Sequence, residues 1–134
     1  MKPEPKRKHL MPTRHVVTIA AILMLLGVAA GAFGAHGLKR VVSTDMLGIW
    51  HTAVLYQLVH GLGMLLAALL AQQFGSALFN AAATVMLAGV LIFSGSLYAL
   101  VLTGATWLGA ITPIGGMAFL AGWGILAWAA VRST

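Results

Sequence analysis

Two histidines, His36 and His60, are the side chains of this 134-residue sequence best suited by type and position to move a proton or hold a metal ion. Thr52, Tyr56, Gln57, Ser94, Tyr98 and Thr112 lie in or beside the same apolar stretches and can hydrogen-bond to them or to one another. A metal or haem site needs two or more ligands converging on one ion. No two histidines stand four residues apart and there is no cysteine, so neither a metal nor a cofactor is expected. The two acidic residues, Glu4 and Asp45, both precede the second apolar stretch. That removes paired carboxylates, metalloprotease motifs and the membrane carboxylate that an ion-coupled transporter normally uses. Ser94 and His60 could meet across two helices, but a Ser-His pair without an orienting group or an oxyanion hole is not a hydrolase site. The chemistry points to a protein that is not an enzyme.

Each histidine has a plain reading beside the functional one. An ionisable side chain inside an apolar span is a functional candidate by default. A neutral His60 bonded to Tyr98 or Ser94 would instead serve as helix glue, at about 0.6 kcal/mol per contact. His36 ends an apolar run just before Lys39 and Arg40, which suits an interfacial position. His51 falls opposite His60 on a helical wheel, near the start of its span, and reads as a headgroup-depth histidine.

The surroundings of these residues decide the class of protein. Hydrophobic residues make up 60% of the chain and charged residues 7%, against roughly 25% charged in a soluble domain. From Met46 to Val131 there is no Lys, Arg, Asp or Glu. A soluble fold could not cover such a stretch with polar surface, so a soluble enzyme and a nucleic-acid-binding domain are both excluded. An all-α membrane protein remains.

About 20 apolar residues cross the hydrocarbon core as a helix. The spans are expected at residues 16–35, 46–71, 77–102 and 107–131, as four transmembrane helices in one antiparallel bundle, residues 15–132. Residues 1–14 form a basic extension, expected to be disordered. The first apolar run is longer than a signal-peptide core and is read as retained. Pro113 cannot continue a helix in regular fashion, so the fourth helix should kink or break near Thr112-Pro113. The connections after the second and third spans suit only tight turns.

Lys2, Lys6, Arg7, Lys8, Arg14 and Arg132 fall on one side of this topology, and Lys39 and Arg40 on the other. The positive-inside rule then puts both termini in the cytoplasm. Initiation at Met11 would remove four of those charges and leave Arg14 and Arg132 against Lys39 and Arg40. The basic N-terminus also suits contact with anionic lipids.

At about 100° per residue, the second span divides into two halves. Thr52, Tyr56, Gln57, His60, Trp50, Gly61, Gly63 and Met64 share one, and Leu55, Leu58, Leu62, Leu65, Leu66 and Leu69 the other. In lipid the leucines should face outward and the polar half inward. The third span groups Asn80, Thr84, Ser94 and Tyr98, with Gly95 beside them, and puts Phe79, Met86, Phe93 and Leu97 opposite. The expectation is a single polar seam of His36, Thr52, Tyr56, Gln57, His60, Ser94 and Tyr98, with Thr112 nearby. Gly27, Gly31 and Gly34 in the first span, Gly95 in the third, and Gly115, Gly116, Ala118 and Gly122 in the fourth have the small side chains that let helices approach closely.

Four segments carry a family likeness: Gly31–Leu38 (GAFGAHGL), Thr52–His60 (TAVLYQLVH), Phe93–Leu100 (FSGSLYAL) and Leu108–Gly116 (LGAITPIGG). In this order they resemble the family of bacterial inner-membrane proteins called domain of unknown function 423, which is similar to eukaryotic transmembrane protein 256. The likeness runs from about Thr13 to Trp128. It implies a small multi-pass protein of the bacterial inner membrane and transfers no activity.

Three readings follow for function. The first is a non-enzymatic membrane protein with a polar intramembrane seam. The second is a protein that handles protons or holds a lipid or quinone-like ligand, and an open pocket between spans two, three and four would favour it. The third is an accessory subunit or homo-oligomer, favoured if Gly27, Gly31 and Gly34 lie exposed. The lipid bilayer is the partner common to all three.

Overall fold

The computed structural model describes residues 11–133. They form four long helices, α1 (Thr13–Ala35), α2 (Thr44–Phe74), α3 (Ala77–Thr103) and α4 (Thr112–Arg132), each part of a segment long and apolar enough to cross a membrane. Their ends overrun the hydropathy boundaries by at most three residues, because a helix does not stop where its residues turn polar. Thr13 and Arg14, read from sequence as extension, are therefore the first turn of α1, and Met11 is buried against the core. Residues 1–10 lie outside the described residues.

The fourth span breaks where proline demands it. Residues Thr106–Ala110 form a short 3-10 helix, and α4 starts afresh at Thr112 with Pro113 in its first turn. A proline there lacks an N–H that would have no intrahelical partner anyway. The α2–α3 and α3–α4 connections turn on Gly75 (φ 64°) and Gly104 (φ 74°), both left-handed. A side chain would strain either position. Ser43 and Ser76 cap α2 and α3, their hydroxyls accepting from the backbone N–H groups of Met46 and Leu78.

Neighbouring helices run antiparallel. A carbon added at Gly34, Gly31 or Gly27 of α1 would lie 2.7, 3.5 or 2.7 Å from Trp50, Val54 or Leu58 of α2, pairs that descend α2 as they climb α1. The same logic joins α3 to α4 through Gly89–Phe119 and Gly122–Met86. The helices α2 and α3 form the central pair, with α1 packed on α2 and α4 packed on α3. On the leucine face of α2, Leu55, Leu62, Leu66 and Leu69 are exposed as expected, but Leu58 packs on Gly27 of α1 and Leu65 packs against the core, because α1 covers that edge of the face.

For α3 the expectation fails. Phe79 and Met86 are fully buried and Leu97 nearly so. Phe79 packs with Ala71 of α2 and Ala129 of α4, and Met86 lies beside Gly63 of α2 and Gly122 of α4, so both face protein rather than lipid. A central helix is packed on two sides, and hydropathy cannot tell a protein-facing apolar side chain from a lipid-facing one.

The small residues also sort unevenly. Gly27, Gly31 and Gly34 are taken up inside the bundle by α2, and Gly115 and Gly122 by α3. A carbon added at Gly116 would lie 4.0 Å from the Phe93 ring, and Ala118 is half-buried. Gly95 packs against nothing, since a side-chain carbon there would meet no atom within 4 Å. It lines an open groove instead.

Candidate functional site

The polar residues do not form one seam. They make three separate links, each tying a different set of helices. The first joins α1, α2 and α3 through buried Gln57. Its Nε2 donates to the Leu23 carbonyl of α1 at 2.8 Å, and the Tyr98 hydroxyl of α3 donates to its Oε1 at 2.7 Å. Beside it, the Ser94 hydroxyl donates to the Ala53 carbonyl at 2.7 Å, and the Trp50 indole donates to the Ala30 carbonyl at 2.8 Å. These bonds depend on the glycines. Close approach at Gly27 and Gly34 brings the α1 carbonyls within reach of α2 side chains, and a carbonyl can accept a second bond beyond its helical one.

The second link is His60, in the middle of α2 and 4% exposed. The Trp123 indole N–H of α4 donates to His60 Nε2 at 3.0 Å. A nitrogen that accepts carries no proton, so the imidazole proton is on Nδ1. From there it donates to the Tyr56 carbonyl at 2.7 Å, one turn back on the same helix. The Phe119 ring stacks on the imidazole with centroids 3.5 Å apart and planes 11° apart. Both ring nitrogens are engaged and one face is covered. This geometry suits a neutral imidazole that holds α2 to α4.

The third link joins the Ser96 and Thr112 hydroxyls at 2.7 Å, between α3 and the start of α4. Thr112 lies one residue before the proline, so this bond anchors the broken end of the fourth span to its neighbour.

Several expected members of the seam fall elsewhere. His36 is exposed at the end of α1, where the chain leaves the helix for the Lys39-Arg40 loop. Thr52 is exposed and its hydroxyl donates to the Gly48 carbonyl of its own helix at 3.1 Å. Ser94 and Tyr98 do not reach His60; they face α2 one to two turns away, around Ala53 and Gln57. Tyr56 is 39% exposed, and its ring packs against Phe93 and Phe119. Phe119, Trp123 and Ser96 were not singled out by sequence reasoning, and Trp50 was placed on the inward half of α2 without a partner. One signal for Trp123 was available: tryptophan favours membrane interfaces, yet Trp123 stands in the middle of α4. Among the described residues no group of three or more His, Cys, Asp or Glu comes together.

The helices leave two large grooves next to these links. One, of about 400 Å³, lies between α1 and α3 over Gln57 and includes Gly95, Ser94 and Tyr98. The other, of about 610 Å³, lies between α2, α3 and α4. Its walls are the rings of Tyr56, Phe93, Phe119 and Trp123, with His60 at the base and Pro113 and Gly116 along one side.

The chain matches the family model described as Protein of unknown function (DUF423) over residues 30–116. It belongs to the DUF423 family. The UPF0382 membrane protein YwdK of Bacillus subtilis is 44% identical over 117 residues, which is 87% of this chain and 95% of the relative. A UPF0382 membrane protein of Staphylococcus haemolyticus is 44% identical over 107 residues, 80% of this chain and 87% of the relative. One from Staphylococcus epidermidis is 42% identical over 116 residues, 87% of this chain and 94% of the relative. No solved structure matches the chain. With four membrane-spanning helices and relatives named as membrane proteins, this DUF423 chain is a multi-pass membrane protein. The DUF423 match includes Tyr56, Gln57, His60, Ser94 and Tyr98 and stops before Phe119 and Trp123.

Proposed function

We propose that the protein is a non-enzymatic component of the bacterial inner membrane that holds a flat, lipid-soluble ligand of the quinone type in the groove between α2, α3 and α4. The observation that carries this reading is the lining of that groove. Four aromatic rings line about 610 Å³ of open space between α2, α3 and α4, and aromatic faces favour offset stacking with another flat ring. The ligand is held by stacking rather than by ligation, because His60 has both nitrogens engaged by Tyr56 and Trp123. Gly116 and the helix break at Pro113 keep one wall low. The alternative of an accessory subunit loses its main support, since Gly27, Gly31 and Gly34 are filled from within by α2.

Both termini are placed in the cytoplasm in this reading. Arg14 and Arg132 share one end of the bundle, and Lys39 and Arg40 occupy the other together with Asp45. The basic residues ahead of Met11 tip the balance toward a cytoplasmic N-terminus.

The test is quenching of tryptophan fluorescence by a short-chain ubiquinone analogue in the detergent-solubilised full chain. The wild type should quench saturably, and Trp123→Phe should lose that saturable part. Gly116→Leu fills the groove from a position with room beside it, and should abolish saturation while helix content is unchanged. Quenching that rises linearly with quinone and is the same in all three proteins would overturn the proposal.

A further inference from the structure

Another groove, independent of the aromatic one, runs along the seam between the start of α1 and the end of α2, with a volume of about 470 Å³. Its lining changes character along its length. Val17, Leu65 and Leu69 give an aliphatic floor, and Thr13, Arg14 and Gln72 give a polar mouth. Arg14 and Gln72 are exposed. The Thr13 hydroxyl accepts from Asn80 Nδ2 at 3.1 Å, so its own proton is left for another acceptor.

Charge sets this groove apart from the other two large ones, which contain no charged residue. The end of the bundle at which it opens holds Arg14 and Arg132. Among the described residues the one carboxylate side chain, Asp45, stands at the opposite end. An aliphatic channel that ends in a guanidinium, a hydroxyl and an amide complements a molecule with an acyl chain and an anionic, hydroxyl-bearing head. We propose that this groove binds one anionic phospholipid of the phosphatidylglycerol type. The phosphodiester sits on the Arg14 guanidinium, which can meet two phosphate oxygens at once, and on the Thr13 hydroxyl. Gln72 meets the glycerol head, and one acyl chain lies over Val17, Leu65 and Leu69. A phosphatidylcholine head fits poorly because it brings its own cation against Arg14 and offers Gln72 no hydroxyl.

Arg132 supplies the control. It is a second arginine at the same end, placed over the Trp128 ring at 5.2 Å and not part of the groove. The experiment is native mass spectrometry of the full chain in mild detergent, titrated with phosphatidylglycerol or with phosphatidylcholine of the same chain length. Phosphatidylglycerol should form a single saturable adduct that phosphatidylcholine does not match. Arg14→Gln should weaken it about fivefold, the contribution of one basic residue at a lipid surface. Arg132→Gln should leave it unchanged. Val17→Trp keeps every charge and fills the floor from an exposed position, and it should reduce the adduct to the phosphatidylcholine level. Inorganic phosphate should not displace the lipid, since it cannot use the floor. Equal losses from Arg14→Gln and Arg132→Gln, or wild-type binding by Val17→Trp, would show diffuse surface attraction and overturn the proposal.

Discussion

Gly115→Ala and Gly95→Ala make the same chemical change in two helical glycines, and they should behave in opposite ways. A Cβ on Gly115 would stand 2.7 Å from Phe93 Cβ and 2.8 Å from Phe93 Cα, and closer still to the Phe93 backbone nitrogen. An ordinary contact needs about 3.5–4.0 Å. The obstacle is backbone, so no rotamer change relieves it, and α3 and α4 must separate by about 1 Å locally. A radial gap of that size forfeits roughly a quarter to a half of the dispersion energy of each contact it opens. The contacts at stake include Phe119 against Gly89 and Met86 against Gly122, which lie on the same line as Gly115. Overpacking of this kind costs about 1–3 kcal/mol, and a backbone clash belongs at the upper end. At Gly95 nothing lies within 4 Å of the added carbon, so the change should stay within about 0.5 kcal/mol of wild type. Any gain in helix propensity applies to both variants and cancels between them. Reversible unfolding from dodecylmaltoside into SDS, followed by tryptophan fluorescence, should therefore separate the two by about 2–3 kcal/mol. Equal stabilities would refute the packing of α4 on α3 described above.

A double-mutant cycle between His60→Gln and Trp123→Phe should give a coupling of about 0.6 kcal/mol, the average for hydrogen bonds between membrane helices. The corresponding cycle with Ser94→Ala should be additive, because Ser94 bonds to Ala53 and not to His60; the same unfolding assay reads both. Tyr98→Phe should cost about 1–3 kcal/mol, since it leaves the Gln57 Oε1 acceptor without its donor. Restored stability in the Tyr98→Phe, Gln57→Leu double variant relative to Tyr98→Phe alone would confirm that origin. Single cysteines placed before α1 and after Arg132 should be shielded from a membrane-impermeant maleimide in intact cells. A cysteine at Lys39 should be labelled, and the reverse pattern would overturn the cytoplasmic assignment.

The membrane class, the four spans and the break at Pro113 were legible before any tertiary structure, because each follows from a local cost. A charged residue in hydrocarbon is expensive wherever its neighbours are, and the missing N–H of Pro113 disrupts a helix whatever it packs against. The outward leucines of α2, Leu55, Leu62, Leu66 and Leu69, were legible as well, because the two halves of that helix differ strongly in polarity. The other face of α3 was not. Phe79 and Met86 look like lipid-facing residues because lipid is as apolar as a protein core, so hydropathy records only that they avoid water. Nor could the sequence say that Gly115 is filled and Gly95 empty, since a small residue permits close approach without requiring it.

The candidate site shows the same division more sharply. Sequence identified Gln57, His60, Ser94, Tyr98 and Thr112 as groups that must find hydrogen bonds inside the membrane, since an unpaired polar group there is costly. It grouped them by helical face and so merged them into one seam. Only the packing of the four helices on one another decided that Gln57 pairs with Leu23 and Tyr98, His60 with Trp123, and Thr112 with Ser96. A residue's demand for a partner is a property of its side chain, fixed by transfer out of water. The partner's identity depends on interhelical separations of a few ångströms, set by which small residues are actually filled.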